Sequence, residues 1–200
     1  MMNPRKFLAM FSAAATLVFT ACSDDDDSTP VNDEELITTM EVTLTDGTDT
    51  VTLRFFDEDG ADGPTAPTAT VSGAFKASTT YNGSISILNE TENPAENVNE
   101  EIEEEADEHQ FFYVTDDLGI TTAYTDNESN YEDANGNAFT SMNPVGITFT
   151  LTTTASTGDG NLRVVLRHEP NKDATGVSDG DITNAGGEPD VDWTFDISVE

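Results

Sequence analysis

The chain has 200 residues, with 40 Asp and Glu against seven Lys and Arg, and a formal net charge of −33 at pH 7. So acidic a surface repels phosphate backbones and anionic headgroups, which excludes nucleic acid as a partner. A single cysteine, Cys22, allows no intrachain disulfide, and the fold must stand on packing alone.

Residues 1–21 read as a secretory leader that is cut off: Arg5 and Lys6 form the basic start, 7–19 the apolar segment, and Thr20-Ala21 the small pair before the cut. The 13-residue apolar run is shorter than the ~20 residues needed to cross a bilayer. Cys22 then lies at a new N-terminus, where a lone thiol serves better as a lipid acceptor than as half of a disulfide. Ser23, Asp24, Asp25, Asp26 and Asp27 follow, and a polar stretch to residue 35 without apolar periodicity reads as a flexible tether. The Ala21-Cys22 pair resembles the end of the lipobox of bacterial lipoproteins, with Phe19 standing where Leu is usual. The run 23–27 resembles the signal with which some Gram-negative bacteria carry lipoproteins to the outer face of the outer membrane. The resemblance implies lipidation of Cys22 and a lipid anchor in the outer membrane, facing the cell exterior. One acyl chain holds only marginally, at ~0.8 kcal/mol per buried CH2, whereas two or three stay bound. Loss of the leader removes two cations and no acid, so the formal charge goes from −33 to −35 over about 179 residues, enough for one domain with a core at 36–200.

Along that domain the apolar residues alternate. Leu36, Thr38, Met40, Val42 and Leu44 share one face, the turn 46–49 supplies a glycine, and Val51, Leu53 and Phe55 resume the alternation, which predicts a β-hairpin. Further strands are predicted over 69–75, 80–88, 109–115, 119–125, 145–151, 162–166 and 191–199. Trp193 is in phase with Phe195 and Ile197 and reads as a core residue. Between 94 and 108, Val98, Ile102 and Ala106 are spaced by four, but five glutamates repel one another on the same stretch, so a frayed helical turn or two or an acidic loop both fit. Nine strand candidates with polar turns and almost no helix signal predict an all-β fold, an antiparallel β-sandwich of Ig-like character, with a β-barrel as the alternative.

The runs 107–112, 166–172 and 180–187 resemble a family of small bacterial surface lipoproteins of unknown function, some of which carry a type 1 periplasmic-binding-fold label. That label would imply two α/β lobes with crossover helices. The strand pattern implies the all-β sandwich instead. The family carries no catalytic residues over to this chain.

No phosphate-binding glycine loop, zinc cysteine cluster, His-Glu-x-x-His helix or nucleophile elbow occurs, and the expectation is a protein that is not an enzyme. Two function classes remain: a binding or adhesion module for an envelope protein, peptide or glycan, and a structural or assembly component of the envelope. Tyr124, Tyr131, Phe139 and Trp193 exposed together at one end would favour the first. Two stretches place hard oxygen ligands on glycine turns suited to Ca2+: Asp57, Asp59 and Asp62 around Gly60, and 126–137 with Asp133 and Asn135. Neither has the closing bidentate Glu of a twelve-residue calcium loop. His109 opens one predicted strand and His168 closes another. If the two were antiparallel neighbours, the imidazoles would meet at one rim among Asp107, Glu108 and Glu169, a ligand set acceptable to a divalent transition metal. The same residues also fit a structural polar cluster with Arg167 and Lys172, or histidines far apart.

Overall fold

The computed structural model describes residues 36–60, 63–115 and 118–200. Ten strands and one short helix follow one another among them: β1 (Thr39–Thr45), β2 (Thr50–Phe56), β3 (Thr68–Val71), β4 (Thr80–Asn89), β5 (Glu96–Asn97), α1 (Asn99–Glu104), β6 (His109–Thr115), β7 (Thr121–Tyr124), β8 (Thr148–Thr152), β9 (Gly158–His168) and β10 (Glu188–Val199). The leader, Cys22 and residues 23–27 lie outside the described residues, as does Asp62.

The alternation in the sequence dictates the first hairpin. Met40, Val42 and Leu44 of β1 and Val51 and Leu53 of β2 are buried, while the residues between them are only partly covered. Asp46 closes the turn by accepting the backbone N–H groups of Thr48 and Asp49, and Gly47 takes the left-handed conformation, φ 89°, that a side chain disfavours.

The strands form two sheets. One runs in the order β3-β2-β1-β4-β8-β7, with β5 adding two residues to the end of β4, and the other is β10-β9-β6. Every named pair is antiparallel. The protein is thus an all-β sandwich, and its sheets do not close into a barrel. The two α/β lobes of a type 1 periplasmic-binding fold do not occur among the described residues, where α1 has six residues. Val98, Ile102 and Ala106 are all buried, so the spacing by four does mark an inward stripe, on one short helix. Asn99 stitches that helix to β4, its side chain accepting from Ile87 N–H and donating to the Ile85 carbonyl.

Between the sheets, Leu53, Ile85, Ile87, Phe149 and Leu151 meet Phe111, Tyr113, Leu162, Val164, Leu166 and Phe195. Phe149 stacks on Tyr113 with ring centroids 3.8 Å apart. Trp193 is half-buried against this core and stacks on Phe55 of the opposite sheet at 3.8 Å, so it does serve packing. The short sheet is covered on its other face too: Phe112 and Val165 are buried under the segment 169–187 through Val177 and Ala185.

Two strands differ from expectation for physical reasons. β8 begins at Thr148 rather than Val145, because the preceding carbonyls serve both sheets: that of Val145 accepts from Phe111 and that of Ile147 from Ile85. β9 and β10 run past their apolar stretches because each completes the ladder of the other from Gly158↔Val199 to His168↔Glu188, irrespective of side-chain polarity.

Candidate metal centre at the sandwich rim

β6 and β9 are antiparallel neighbours with His109 directly opposite His168. One step outward, Glu169 N–H donates to the Glu108 carbonyl at 2.6 Å. Hydrogen-bonded and non-hydrogen-bonded pairs alternate along such a ladder, which makes His109/His168 a pair of the second kind, whose side chains lie closer together. The two imidazoles are stacked, centroids 4.7 Å apart and planes within 5°. Both lie in phase with the core-facing residues Phe111 and Leu166, at the end of the sandwich.

Carboxylates surround the pair. His109 is 1% exposed; its Nδ1 faces Glu105, 3.3 Å from the carbonyl and 3.8 Å from Oε2, and its Nε2 faces Asp190 Oδ2 at 3.7 Å. His168 Nε2 stands 3.6 Å from Glu108 Oε2. The carboxylate separations are longer than a direct hydrogen bond. One donor atom from each of Glu105, His109 and His168 lies within 4.8 Å of the others, and Glu108, His168 and Glu169 form a second such triple. Nitrogen and carboxylate donors in this mixture suit a borderline divalent ion of the zinc kind.

The scaffold fixes these groups. Glu105 caps α1, its N–H donating to the Glu101 carbonyl at 2.9 Å, and Glu108 N–H returns to the Glu105 carbonyl at 2.8 Å. Between them the Ala106 carbonyl accepts from Lys172 Nζ, and Lys172, 5% exposed, pairs with the equally buried Glu128 at 3.0 Å. Burial pulls the Lys172 ammonium below its ordinary pKa even though Glu128 acts in the opposite direction. Asp190 is the extra residue where the β9–β10 register slips between Pro189 and Val191, a bulge that re-aims its side chain towards His109. Gly187 has φ +66°, and a Cβ there would collide with the His168 carbonyl, so glycine is required where the chain re-enters β10 beside the site.

His109, His168, Glu108 and Glu169 therefore meet as the topology argument anticipated, whereas Asp107 joins neither triple and acts on the Lys172 ammonium instead. Of the residues in the structural-cluster reading, Arg167 donates to the Gly187 carbonyl, and Lys172 is held by Ala106 and Glu128. Sequence reasoning missed Glu105 and Asp190. The first was lost in the acidic run, and the only trace of the second was the break in alternation around Pro189.

The two calcium candidates gather no comparable cluster among the described residues. Asp57 is buried, and Asp59 accepts from Thr65 N–H; its carboxyl is held below the ordinary range chiefly by the Thr65 side chain and further by this backbone bond. Asp133 takes the N–H groups of Asn135 and Asn137 on Oδ1 and the Asn137 amide on both oxygens, so this loop closes on itself. Asp126 in the same insertion is buried, accepting from Gly146 N–H, Thr148 N–H and the Tyr131 hydroxyl. Tyr124, Tyr131, Phe139 and Trp193 all pack half-buried against the core, and the Tyr124 hydroxyl donates to the Phe111 carbonyl. They do not form an exposed aromatic platform. No family model, no curated protein and no solved structure matches the chain.

Proposed function

We propose that the chain is a lipid-anchored protein of the outer membrane that presents its β-sandwich to the cell exterior as a non-catalytic binding module for cationic ligands. The observation that carries the reading is the rim: four carboxylates, Glu105, Glu108, Glu169 and Asp190, converge on the two histidines in a chain where acids outnumber bases 40 to seven. Both histidines have carboxylates as close neighbours, an arrangement for holding positive charge. The basic leader, the Ala21-Cys22 junction and the aspartates at 24–27 support the anchor and its outward orientation.

A second reading, a structural or assembly component of the envelope, is favoured by the aromatic residues: all four are turned onto the core, which removes the usual stacking surface for a glycan. The two readings separate in a pull-down from native envelopes, where stable incorporation into a larger assembly supports the second.

Localisation is tested by feeding cells an alkyne-bearing fatty acid and probing intact cells with protease. Wild type is expected to take up the label and to be shaved. Cys22→Ser is expected to lose the label and leave the membrane, and alanines at 24–27 to keep the label and resist shaving. A Cys22→Ser protein that is cleaved normally and stays membrane-bound contradicts the lipid anchor.

A further inference from the structure

We propose that Glu105, His109 and His168 form a binding site for one divalent transition-metal ion of the zinc class, with Asp190 as the positioning carboxylate behind His109. The inference stands on the geometry of the rim and does not depend on where the protein is displayed.

Three features carry it. The first is convergence without local help: the histidines are far apart in sequence and meet through the β6–β9 register, as a non-hydrogen-bonded pair with parallel rings at 4.7 Å. Tetrahedral zinc with bonds of ~2.0–2.1 Å needs donor atoms about 3.3 Å apart. The three donor atoms already lie within 4.8 Å of one another, so they need to close by about 1.5 Å at most.

The second is the polarity of each ring's surroundings. His109 has Glu105 on its Nδ1 side and Asp190 on its Nε2 side. A carboxylate behind the non-ligating nitrogen fixes the tautomer and orientation of a metal-bound imidazole, so with Asp190 on Nε2 the ion takes Nδ1 beside Glu105, which requires Nδ1 to give up its 3.3 Å contact with the Glu105 carbonyl. The bulge at Pro189/Val191 is what brings Asp190 there.

The third is the division between rigid and adaptable parts. His109 is buried, and the turn that carries Glu105 is clamped by Lys172 on the Ala106 carbonyl, whereas the Glu105 and Glu108 side chains are 37% and 50% exposed and can swing. Ion entry is from the solvent side, and Glu108 or water is available for a fourth position.

The test is a zinc titration by calorimetry on the full chain carrying Cys22→Ser, so that no thiol competes, purified in detergent. Co2+ absorbance serves as an independent signature of coordination. The expected result is one ion per chain, with at least 100-fold weaker binding in His168→Ala and loss of the Co2+ band. Glu105→Gln is expected to weaken uptake clearly, and Asp190→Asn by about 10–100-fold. His168 is replaced rather than the buried His109 to spare the fold, which metal-free melting checks. Should His168→Ala fail to fold, Glu105→Gln, at a partly exposed position, decides the matter. Absence of stoichiometric uptake overturns the proposal, and so does uptake that Glu105→Gln or a folded His168→Ala leaves unchanged, since ions held loosely on the acidic surface would survive either substitution.

Discussion

Lys172 and Glu128 form an ion pair with both side chains about 4% exposed and 3.0 Å apart, and the same ammonium satisfies the Ala106 carbonyl. Lys172→Met removes one partner, leaves the Glu128 carboxylate buried and strips the carbonyl of a donor. Breaking a buried pair from one side costs about 3–5 kcal/mol. Replacing both, Lys172→Met with Glu128→Leu, removes the stranded charge, so that only the orphaned carbonyl remains, at about 1–3 kcal/mol. The double mutant is therefore expected to be about 2 kcal/mol more stable than Lys172→Met alone, and far less destabilised than the sum of the two single mutants. In a domain of this size, 1 kcal/mol shifts the melting temperature by about 2–4 °C, so the single mutant melts about 6–20 °C below wild type and the double mutant recovers a large part of that. Urea unfolding of wild type, both singles and the double gives the cycle directly. Additive costs, or a single mutant within about 1 kcal/mol of wild type, would refute the view that this pair clamps the turn before His109.

Other expectations follow from the same structure. Gly83 faces the ring of Phe149, and a Cβ there would stand 2.6 Å from Cζ, so Gly83→Ala should overpack the sandwich and lower stability by about 1–3 kcal/mol in the same urea assay; an unchanged midpoint would show the Phe149–Tyr113 stack to be loose. Burial pushes the Tyr124 phenol up to about 12, so its contribution to stability is intact below the ordinary tyrosine range near 10 and is lost as the pH rises through about 12; phenolate absorbance should show it ionising well after a denatured control. The hydrogen bond from Lys76, aided by the N–H groups of Asp49 and Thr48, holds Asp46 at about 2, so the contribution of this turn is present above the usual carboxylate value of 3.8 and is lost as the pH falls through about 2. Lys76→Met should raise the Asp46 midpoint in an NMR titration, and an unmoved midpoint would rule out the ammonium as its main cause.

The parts of the fold that were legible in the sequence are those governed by period two. Met40, Val42 and Leu44 against Val51 and Leu53 specify a hairpin unaided, and His109–Thr115 has the same bounds in sequence and structure. β6 nevertheless hides a second pattern: Phe111 and Phe112 are both buried because the segment 169–187 covers the outer face of the short sheet. Its buried apolar residues Val177 and Ala185, with Ala174 and Ile182 partly buried beside them, sit among glycines and polar residues without a period, so nothing local marks them as a lid. β5 is two residues long and exists only as an extension of β4. At the rim, the ends of two strands suggested that His109 and His168 meet, but strand adjacency depends on the packing of the whole sandwich. Asp190 owes its place to a bulge and Glu105 to the end of a short helix, and both are register effects that composition does not carry.

The chain has two histidines, which makes their convergence at the rim open to one direct measurement. A long-range proton–nitrogen NMR spectrum of the imidazoles contains signals from His109 and His168 alone, recorded first without metal and then with one equivalent of Zn2+. The expected result is a nuclear Overhauser contact between the two rings before addition and, after it, a simultaneous shift of one nitrogen of each ring, complete at one equivalent. Rings without mutual contact, or a zinc addition that moves neither nitrogen or only one of the two histidines, would contradict the metal centre.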